Sequence, residues 1–338
     1  MSSPSAVLDG AERPWLRALQ RQEVEQLLAL KDWRSWGSLL VNWGLVAASF
    51  ALVAHWPHPL TVVLALFVLG GRQLGLAVLM HEAAHRTLFG NRRLNDWAGN
   101  WLCAYPVWGD LYPYRAYHLQ HHAKTGTAED PDLGLAAPFP VTRASLRRKI
   151  LRDLTGRTGV KRAIATCRRD LGLSSGKVRR REGAGWVNLR GVVLTNAVLL
   201  GLCALAGHPA LYLLWPAAWL TTYSLIMRIR SIAEHGMVPD PADELRNTRT
   251  TLARWWERLL IAPNRVNYHL EHHLLMTVPH YHLPRLHSLL HQRGALEGAC
   301  ITRGYAEVLR LASSRPRGTE ATPSTGPTET ALTQRPPF

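Results

Sequence analysis

The chain has 338 residues, of which 47% are hydrophobic, and its formal net charge at pH 7 is +16. The apolar residues gather in four long runs and the Arg and Lys residues gather between them, a pattern that is typical of a polytopic membrane protein. The apolar runs argue against a soluble nucleic-acid-binding protein, so we expect no nucleic-acid partner. The cysteines stand singly and predict neither a disulfide framework nor a cysteine metal site.

The N-terminal segment, residues 1–37, is predicted to be a polar stretch followed by an interfacial helix. Residues 1–12 lack the basic and apolar pattern of a secretory signal. Residues 13–36 combine cations with three indoles, which suits a helix at the cytoplasmic surface of a membrane. The indoles belong to Trp15, Trp33 and Trp36.

Four helices are predicted to cross the membrane as two hairpins, at about residues 39–56, 60–80, 186–206 and 209–227. Runs of this length match the thickness of a bilayer's hydrocarbon core. Arg72 interrupts the second run and would be costly against lipid, so we expect it to face protein or a wet cavity. The predicted fold class is an all-α membrane protein with four transmembrane helices and a helical cap.

Charge fixes the predicted orientation. The stretch from Arg143 to Arg181 contains 14 Lys or Arg residues and two acidic residues, so the positive-inside rule places it in the cytoplasm. If the N-terminus is also cytoplasmic, an even number of crossings separates the two. Residues 94–113, which mix Trp and Tyr with Asn and Asp, are therefore predicted to be interfacial or re-entrant.

Three histidine clusters, HEAAH, HLQHH and HLEHH, have the spacing of metal ligands on helices. Residues three and four apart share one helix face, so each cluster presents a row of imidazoles. The predicted topology brings all three to the cytoplasmic side, and His235 in AEHG emerges at the same face as a ninth candidate. Nine imidazoles exceed what one zinc ion can use. The other eight are His81, His85, His118, His121, His122, His269, His272 and His273.

Two other interpretations of these histidines are open. HEAAH matches the H-E-x-x-H signature of zinc proteases, but a protease would leave six clustered histidines unexplained. The histidines outside the clusters are predicted to be structural: His280, His282, His287 and His291 on a surface helix, and His55, His58 and His208 in the outer turns. Asp130, Asp132 and Glu234 are candidates for orienting the ligands. A single membrane domain is expected over 38–312, followed by a disordered tail over 313–338.

HEAAH, HLQHH with the following DPD, and NYHLEHH resemble the three histidine boxes of the integral-membrane fatty acid desaturases, and AEHG resembles their additional histidine. The resemblance covers about residues 38–290. It implies a mushroom-shaped fold with a cytoplasmic cap, in which the nine histidines hold two iron ions. It further implies an oxidoreductase that uses dioxygen and external electrons to introduce a double bond into a saturated acyl chain of a lipid, a hydrophobic substrate.

The sequence departs from some branches of that family. Three residues separate the histidines of the first box, where the animal acyl-thioester enzymes have four, and Ser231 stands where those enzymes have an Asn one helical turn before the additional histidine. His269 stands where front-end desaturases have Gln. The chain lacks a fused haem carrier and an iron–sulfur cysteine set, so the electrons are expected from ferredoxin or a haem carrier with its reductase.

The substrate stays open at this level. The same di-iron site can return a hydroxyl group, as in a hydroxylase, or act on a carotenoid or an amino-acid-derived small molecule, and a metal storage or sensing protein is the non-enzymatic alternative. The expected location is the bacterial inner membrane, with both termini and the active site on the cytoplasmic side.

Overall fold

A computed structural model of the chain describes residues 13–173 and 184–316. Within these residues the fold is helical, as predicted, and the strands are β1 (Thr250–Thr251) and β2 (Ile301–Thr302), a short parallel pair. The α-helices are α1 Pro14–Arg17, α2 Arg21–Leu28, α3 Asp32–His55, α4 Pro59–His85, α5 Arg92–Ala98, α6 Leu111–Lys124, α7 Leu133–Ala136, α8 Arg143–Leu154, α9 Arg157–Asp170, α10 Ala184–Leu205, α11 Leu214–Leu220, α12 Thr222–His235, α13 Trp255–Leu260, α14 His269–Leu274, α15 Leu283–Gln292 and α16 Tyr305–Ala312.

Four helical segments of the described chain are long and apolar enough to cross a membrane: Asp32–His55, Pro59–His85, Trp186–Leu205 and Pro209–His235. Their number and their pairing into two hairpins confirm the prediction. The helices extend beyond the predicted spans: the first begins at Asp32, and the second and fourth run on to His85 and His235. The polar residues at the ends of the second and fourth helices are buried or half-buried in protein, so the helices continue through them.

Helix α4 lies at the centre of the molecule, and its glycines allow close contacts with other elements. An added Cβ at Gly70 would lie 2.8 Å from the backbone nitrogen of Tyr223, and one at Gly71 would lie 2.7 Å from the carbonyl oxygen of Leu260. Small residues let helix backbones approach each other in membranes. The glycines therefore set the distance between α4 and the fourth span and the segment after it.

Arg72 faces protein, as predicted. Its guanidinium is buried and donates to the carbonyl oxygen of Leu259 and to Oδ1 of Asn42, the latter at 3.3 Å. Asn42 in turn donates to Oδ1 of Asn264 at 3.2 Å, and Asn264 donates to the carbonyl oxygen of Gly75 at 2.7 Å. This polar network ties the first two spans to the segment that precedes α14.

Residues 94–113 do not form one of the four candidate spans, in agreement with the prediction. They fold as α5, a π-helix over Gly99–Ala104 and a 3₁₀ turn over Tyr105–Val107. The π-helix packs against the end of α4, where an added Cβ at Gly99 would lie 2.5 Å from the side chain of Ala83. This packing places the start of α6 beside the end of α4.

The N-terminal helices pack on protein, so the prediction of an interfacial Trp15 was wrong. Trp15 is buried and its Nε1 donates to Oε1 of Glu244 at 2.6 Å. The apolar faces of α1 and α2 join Leu270 and Leu286 in one hydrophobic cluster, which is why the chain folds back at this point. Trp33 is exposed. The predicted disordered residues 1–12 and 317–338 lie outside the described residues, whereas Ser314 pairs with Thr142.

Candidate metal centre

His81 and His85 lie on the last two turns of α4, and Arg115 holds that helix end. The guanidinium of Arg115 donates to the carbonyl oxygens of Ala83 and Ala84, at 2.9 and 3.0 Å, and pairs with Asp96 at 2.5 Å. The last carbonyls of a helix have no partner within the helix, so a cation at this position satisfies them and complements the helix dipole. The first histidine cluster therefore sits on a fixed helix end.

Arg249 does the same for the fourth span, which ends at His235. It donates to the carbonyl oxygens of Ala233, Gly236 and Met237 at 3.1, 2.7 and 3.0 Å. Sequence analysis missed both arginines, because contacts between different elements over 12 to 32 residues leave no local sequence pattern.

The second and third clusters lie on α6 and α14. Helix α6 begins at Asp110, whose side chain accepts from the backbone N–H of Tyr112, a common helix start. The ring of Tyr114 stacks on His118 at 5.2 Å between centroids, one turn before the cluster residues. The cluster of α14 sits in a helix of only six residues, buried between the spans and α15.

The nine predicted histidines converge into two groups. Within each group, the candidate ligand nitrogens lie within 4.8 Å of one another. The five-histidine group contains His81, His85, His118, His122 and His272. The four-histidine group contains His121, His235, His269 and His273. The groups adjoin, since the ring centroids of His122 and His273 lie 4.3 Å apart.

Nitrogen spacing within the groups fits metal ions. Nε2 of His122 lies 3.0 Å from Nε2 of both His118 and His272, and Nε2 of His269 lies 2.8 Å from that of His235. Two imidazoles at right angles on one ion, each at about 2.0–2.1 Å, would have nitrogens roughly 2.9 Å apart. Both ring nitrogens of His81 and His85 are buried without a hydrogen-bond partner, and a bound ion would satisfy one nitrogen of each ring.

The protonation states also favour a cation. Burial lowers the pKa of the cluster histidines outside the spans, namely His118, His122, His269, His272 and His273. Neutral imidazole is the ligand form, so these rings are ready to bind metal at neutral pH. At His121 burial opposes a charge, but the hydrogen bond to Asp130 and the charge of Asp132 outweigh it and raise the pKa.

A family comparison agrees with this arrangement of histidines. The model of the family described as fatty acid desaturase matches residues 57–303. The chain belongs to the fatty acid desaturase family. That match includes all nine histidines and three of the four candidate spans in full.

Named relatives of this desaturase-family chain act on different compounds. It is 27% identical to dihydrorhizobitoxine desaturase from Bradyrhizobium elkanii over 275 residues, which are 77% of this chain and 76% of that relative. It is 37% identical to a beta-carotene ketolase from Paracoccus sp. (strain PC1) over 117 residues, 30% of this chain and 47% of the relative. A beta-carotene 4-ketolase from Protosiphon botryoides is 35% identical over 85 residues, 25% of this chain and 21% of the relative.

The four predicted supporting residues of this family member lie beside the four-histidine group. Oδ1 of Asp130 accepts from Nδ1 of His121 at 2.7 Å, and Asp132 lies 3.7 Å from the same nitrogen and accepts from the hydroxyl of Tyr117. Glu234 lies 3.6 Å from Nδ1 of His269 and pairs with Arg230 at 2.6 Å. Ser231 lines a cavity here. The cavity wall also contains Tyr114, His118, His121, Asp132, Leu135, Met227, Arg230, Glu234, His235 and His269.

Sequence analysis missed two further carboxylates beside the histidines. They belong to the glutamates inside the first and third histidine clusters. Oε2 of Glu82 accepts from the hydroxyl of Thr87 at 3.0 Å and from the backbone N–H of His280 at 2.9 Å. Oε1 of Glu271 accepts from Nδ1 of His287 at 2.6 Å. The signal was present as carboxylates flanked by ligands, but the pairing of Glu82 with His280 spans 198 residues and cannot be recognised from the sequence.

These contacts bear on two predictions. His280 and His282 are buried, so the expectation of a surface helix was wrong for them. Glu82 is engaged by Thr87 and His280, and HEAAH shares its site with seven other histidines, which does not fit the water-activating glutamate of a zinc protease.

Proposed function

We propose that this chain is a dioxygen-dependent desaturase that uses two iron ions. The observation that carries the proposal is the convergence of nine imidazoles into two adjoining groups of five and four. Iron, when bound by these imidazoles, supplies the oxidising power that removes hydrogen from an unactivated carbon. Dioxygen accepts two hydrogens from the substrate, together with two electrons and two protons from outside, and yields a double bond and two waters.

The protein's own residues hold and orient the ligands. His81, His85, His118, His122 and His272 hold one ion, and His121, His235, His269 and His273 hold the other. Asp130 keeps the proton of His121 on Nδ1, which leaves Nε2 free to bind, and Glu234 lies where it can orient His269. Arg115 and Arg249 fix the two helix ends.

A saturated acyl chain of a lipid is the first-choice substrate, since the family description and the membrane spans both favour it. A small polar molecule is the second candidate, and one observation favours it: the chain is similar to dihydrorhizobitoxine desaturase over three quarters of both chains. The ketolases support a carotenoid over a shorter stretch.

The electrons come from an external donor, for which a ferredoxin or a haem carrier with its reductase is suitable. We place the site and both termini on the cytoplasmic side of a bacterial inner membrane, because the segments on that side carry the excess of Arg and Lys.

Turnover with product analysis tests the proposal. The chain, purified without oxygen, is analysed for metals and then supplied with dioxygen, reduced ferredoxin and either acyl lipids or an extract of polar metabolites. We expect two irons per chain and, by mass spectrometry, a product lighter by two hydrogens. A product heavier by one oxygen would identify a hydroxylase. The preparation that yields a product, acyl lipids or polar metabolites, identifies the substrate class.

Matched variants assign the reaction to the site. His121→Ala and His272→Ala each remove one ligand from a different group and should abolish turnover, whereas His291→Ala, at an exposed residue outside both groups, should retain it. One zinc and no iron in active protein, or full activity in both ligand variants, would contradict the proposal. Two irons without any dioxygen-dependent product would favour metal storage or sensing.

A further inference from the structure

Helix α9 is held against the third and fourth spans at both of its ends. Near its start, Gly159 packs so closely on Leu220 that an added Cβ would lie 2.2 Å from that residue's carbonyl oxygen. At its end, Asp170 accepts from Nδ2 of Asn188 at 2.6 Å. The guanidinium of Arg162, between the two, stacks on the ring of Trp219 at 4.1 Å and donates to that residue's carbonyl oxygen at 2.6 Å.

The anchor at the end of α9 lies where the third span begins. Asn188 is the third residue of the span Trp186–Leu205, so Asp170 and the last turn of α9 lie at the level where that span enters the hydrocarbon core. A helix held there with one face against the spans presents its opposite face at the boundary between acyl chains and headgroups.

The opposite face of α9 carries an apolar stripe beside a cationic stripe. Val160 and Ile164 are 48% and 50% exposed. Arg157, Lys161 and Arg168 are also exposed, and their spacings of four and seven residues place them within about 40° of arc, next to the apolar pair. Apolar side chains beside long cationic ones are the pattern of a helix at the boundary between acyl chains and headgroups, where Lys and Arg extend to phosphates.

We propose that this face of α9 binds anionic phospholipids in the leaflet on the side of the histidine clusters, with Arg157, Lys161 and Arg168 at the phosphates and Val160 and Ile164 against acyl chains. Cations near an anionic membrane surface each add a favourable contribution, so the site selects anionic over zwitterionic lipid. The proposal rests on the four-span fold and is independent of the reaction catalysed.

Spin-labelled lipids test the proposal in the full chain. The protein is reconstituted in phosphatidylcholine vesicles with a trace of spin-labelled phosphatidylglycerol or spin-labelled phosphatidylcholine, and the motionally restricted fraction gives the ratio of their association constants. We expect the parent chain to favour phosphatidylglycerol, and the variant R157Q/K161Q/R168Q to lose roughly five-fold or more of that ratio. High salt should reduce the preference of the parent chain.

The control variant R17Q/R303Q/R310Q removes the same charge from exposed residues outside α9 and should keep the parent's ratio. Both variants are checked for the parent's elution volume and metal content, so that loss of fold is not read as loss of lipid binding. Equal ratios in the parent and the α9 variant would overturn the proposal. An unchanged ratio with a raised KM for ferredoxin would overturn it and assign the face to the electron donor.

Discussion

At the scale of single residues, the four-histidine group depends on one buried carboxylate. Asp130 accepts from Nδ1 of His121 at 2.7 Å, and its side chain is only 7% exposed. A carboxylate behind an imidazole fixes the ring's tautomer and raises its basicity toward a metal. We therefore expect Asp130 to strengthen metal binding at this group through His121.

Replacing Asp130 by Ala should lower the affinity for one of the two metal ions by roughly 10- to 100-fold. Affinity is measured by metal retention against a graded chelator series. Asp130→Asn keeps an acceptor oxygen and should have a smaller effect. The matched control is Glu129→Ala, at the exposed neighbouring residue. Equal metal retention in Asp130→Ala and in the control would contradict the assigned role.

Because of His282, we expect the stability of the fold to depend on pH. This residue does not belong to the nine candidate metal ligands. Burial, with smaller contributions from Lys31, Arg34 and Arg285, lowers its pKa to about 4. The unfolded chain takes up this proton near pH ~6.5 and the folded chain only near 4, so the free energy of unfolding falls as pH drops through that window and is unaffected above it.

The test is thermal unfolding between pH 4 and 7. His282→Phe should flatten the decline of the unfolding midpoint below pH 6.5, whereas the matched change at the exposed His291 should leave it as in the parent. A decline of the same slope in all three proteins would rule out His282 as a source.

How far single residues can be predicted depends on how local their chemistry is. The nine histidines could be identified because their spacing within each cluster is short and regular. The pairing of Glu82 with His280 could not, because 198 residues separate them and a sequence does not state which distant segments meet. Trp15 was placed at an interface by composition, but the cluster that buries it involves α15.

At the scale of elements, the glycines of α4 make the most specific prediction. Gly70→Ala brings a methyl group within 2.8 Å of the backbone nitrogen of Tyr223, so it should destabilise the fold by about 1–3 kcal/mol through overpacking. Gly201→Ala in α10, where an added Cβ meets nothing within 4 Å, should be neutral or stabilising. The two variants are compared by their midpoints of thermal unfolding, measured in one detergent at one scan rate. Equal midpoints would show that α4 can shift to accept the methyl group.

Elements were predictable in number but not in length. Apolar runs identified four spans because lipid tolerates little else. The helices run on beyond the predicted spans, since the polar residues from His81 to His85 and from Arg228 to His235 are covered by neighbouring protein, and hydropathy does not distinguish protein from water. The break at Thr221, which separates α11 from α12, left no sequence signal that we recognise.

At the scale of the whole molecule, the proposed orientation in the membrane can be tested by cysteine labelling. If the histidine clusters are cytoplasmic, the turn at His208 faces outward, and a cysteine placed there should react with a membrane-impermeant maleimide in intact spheroplasts. A cysteine at Arg303, an exposed residue outside the four candidate spans, should react only after the membrane is opened. Both cysteines are introduced into the variant C167S/C300S, which is also the control, because Cys167 and Cys300 are half-buried whereas Cys103 and Cys203 are buried. The reverse labelling pattern would show that the chain has the opposite orientation in the membrane.

The lengths of the two spans that carry histidines have an energetic consequence for a lipid substrate. Each has 27 residues, about 40 Å of helix, against a hydrocarbon core of about 30 Å. An acyl chain must therefore rise by up to roughly 10 Å, on the order of eight methylene groups, to reach the ligands at the helix ends. Exposure to water would cost about 0.8 kcal/mol for each group, at most some 6 kcal/mol in total. A lipid substrate thus requires a protein sheath along this rise, whereas a water-soluble substrate reaches the site without that cost.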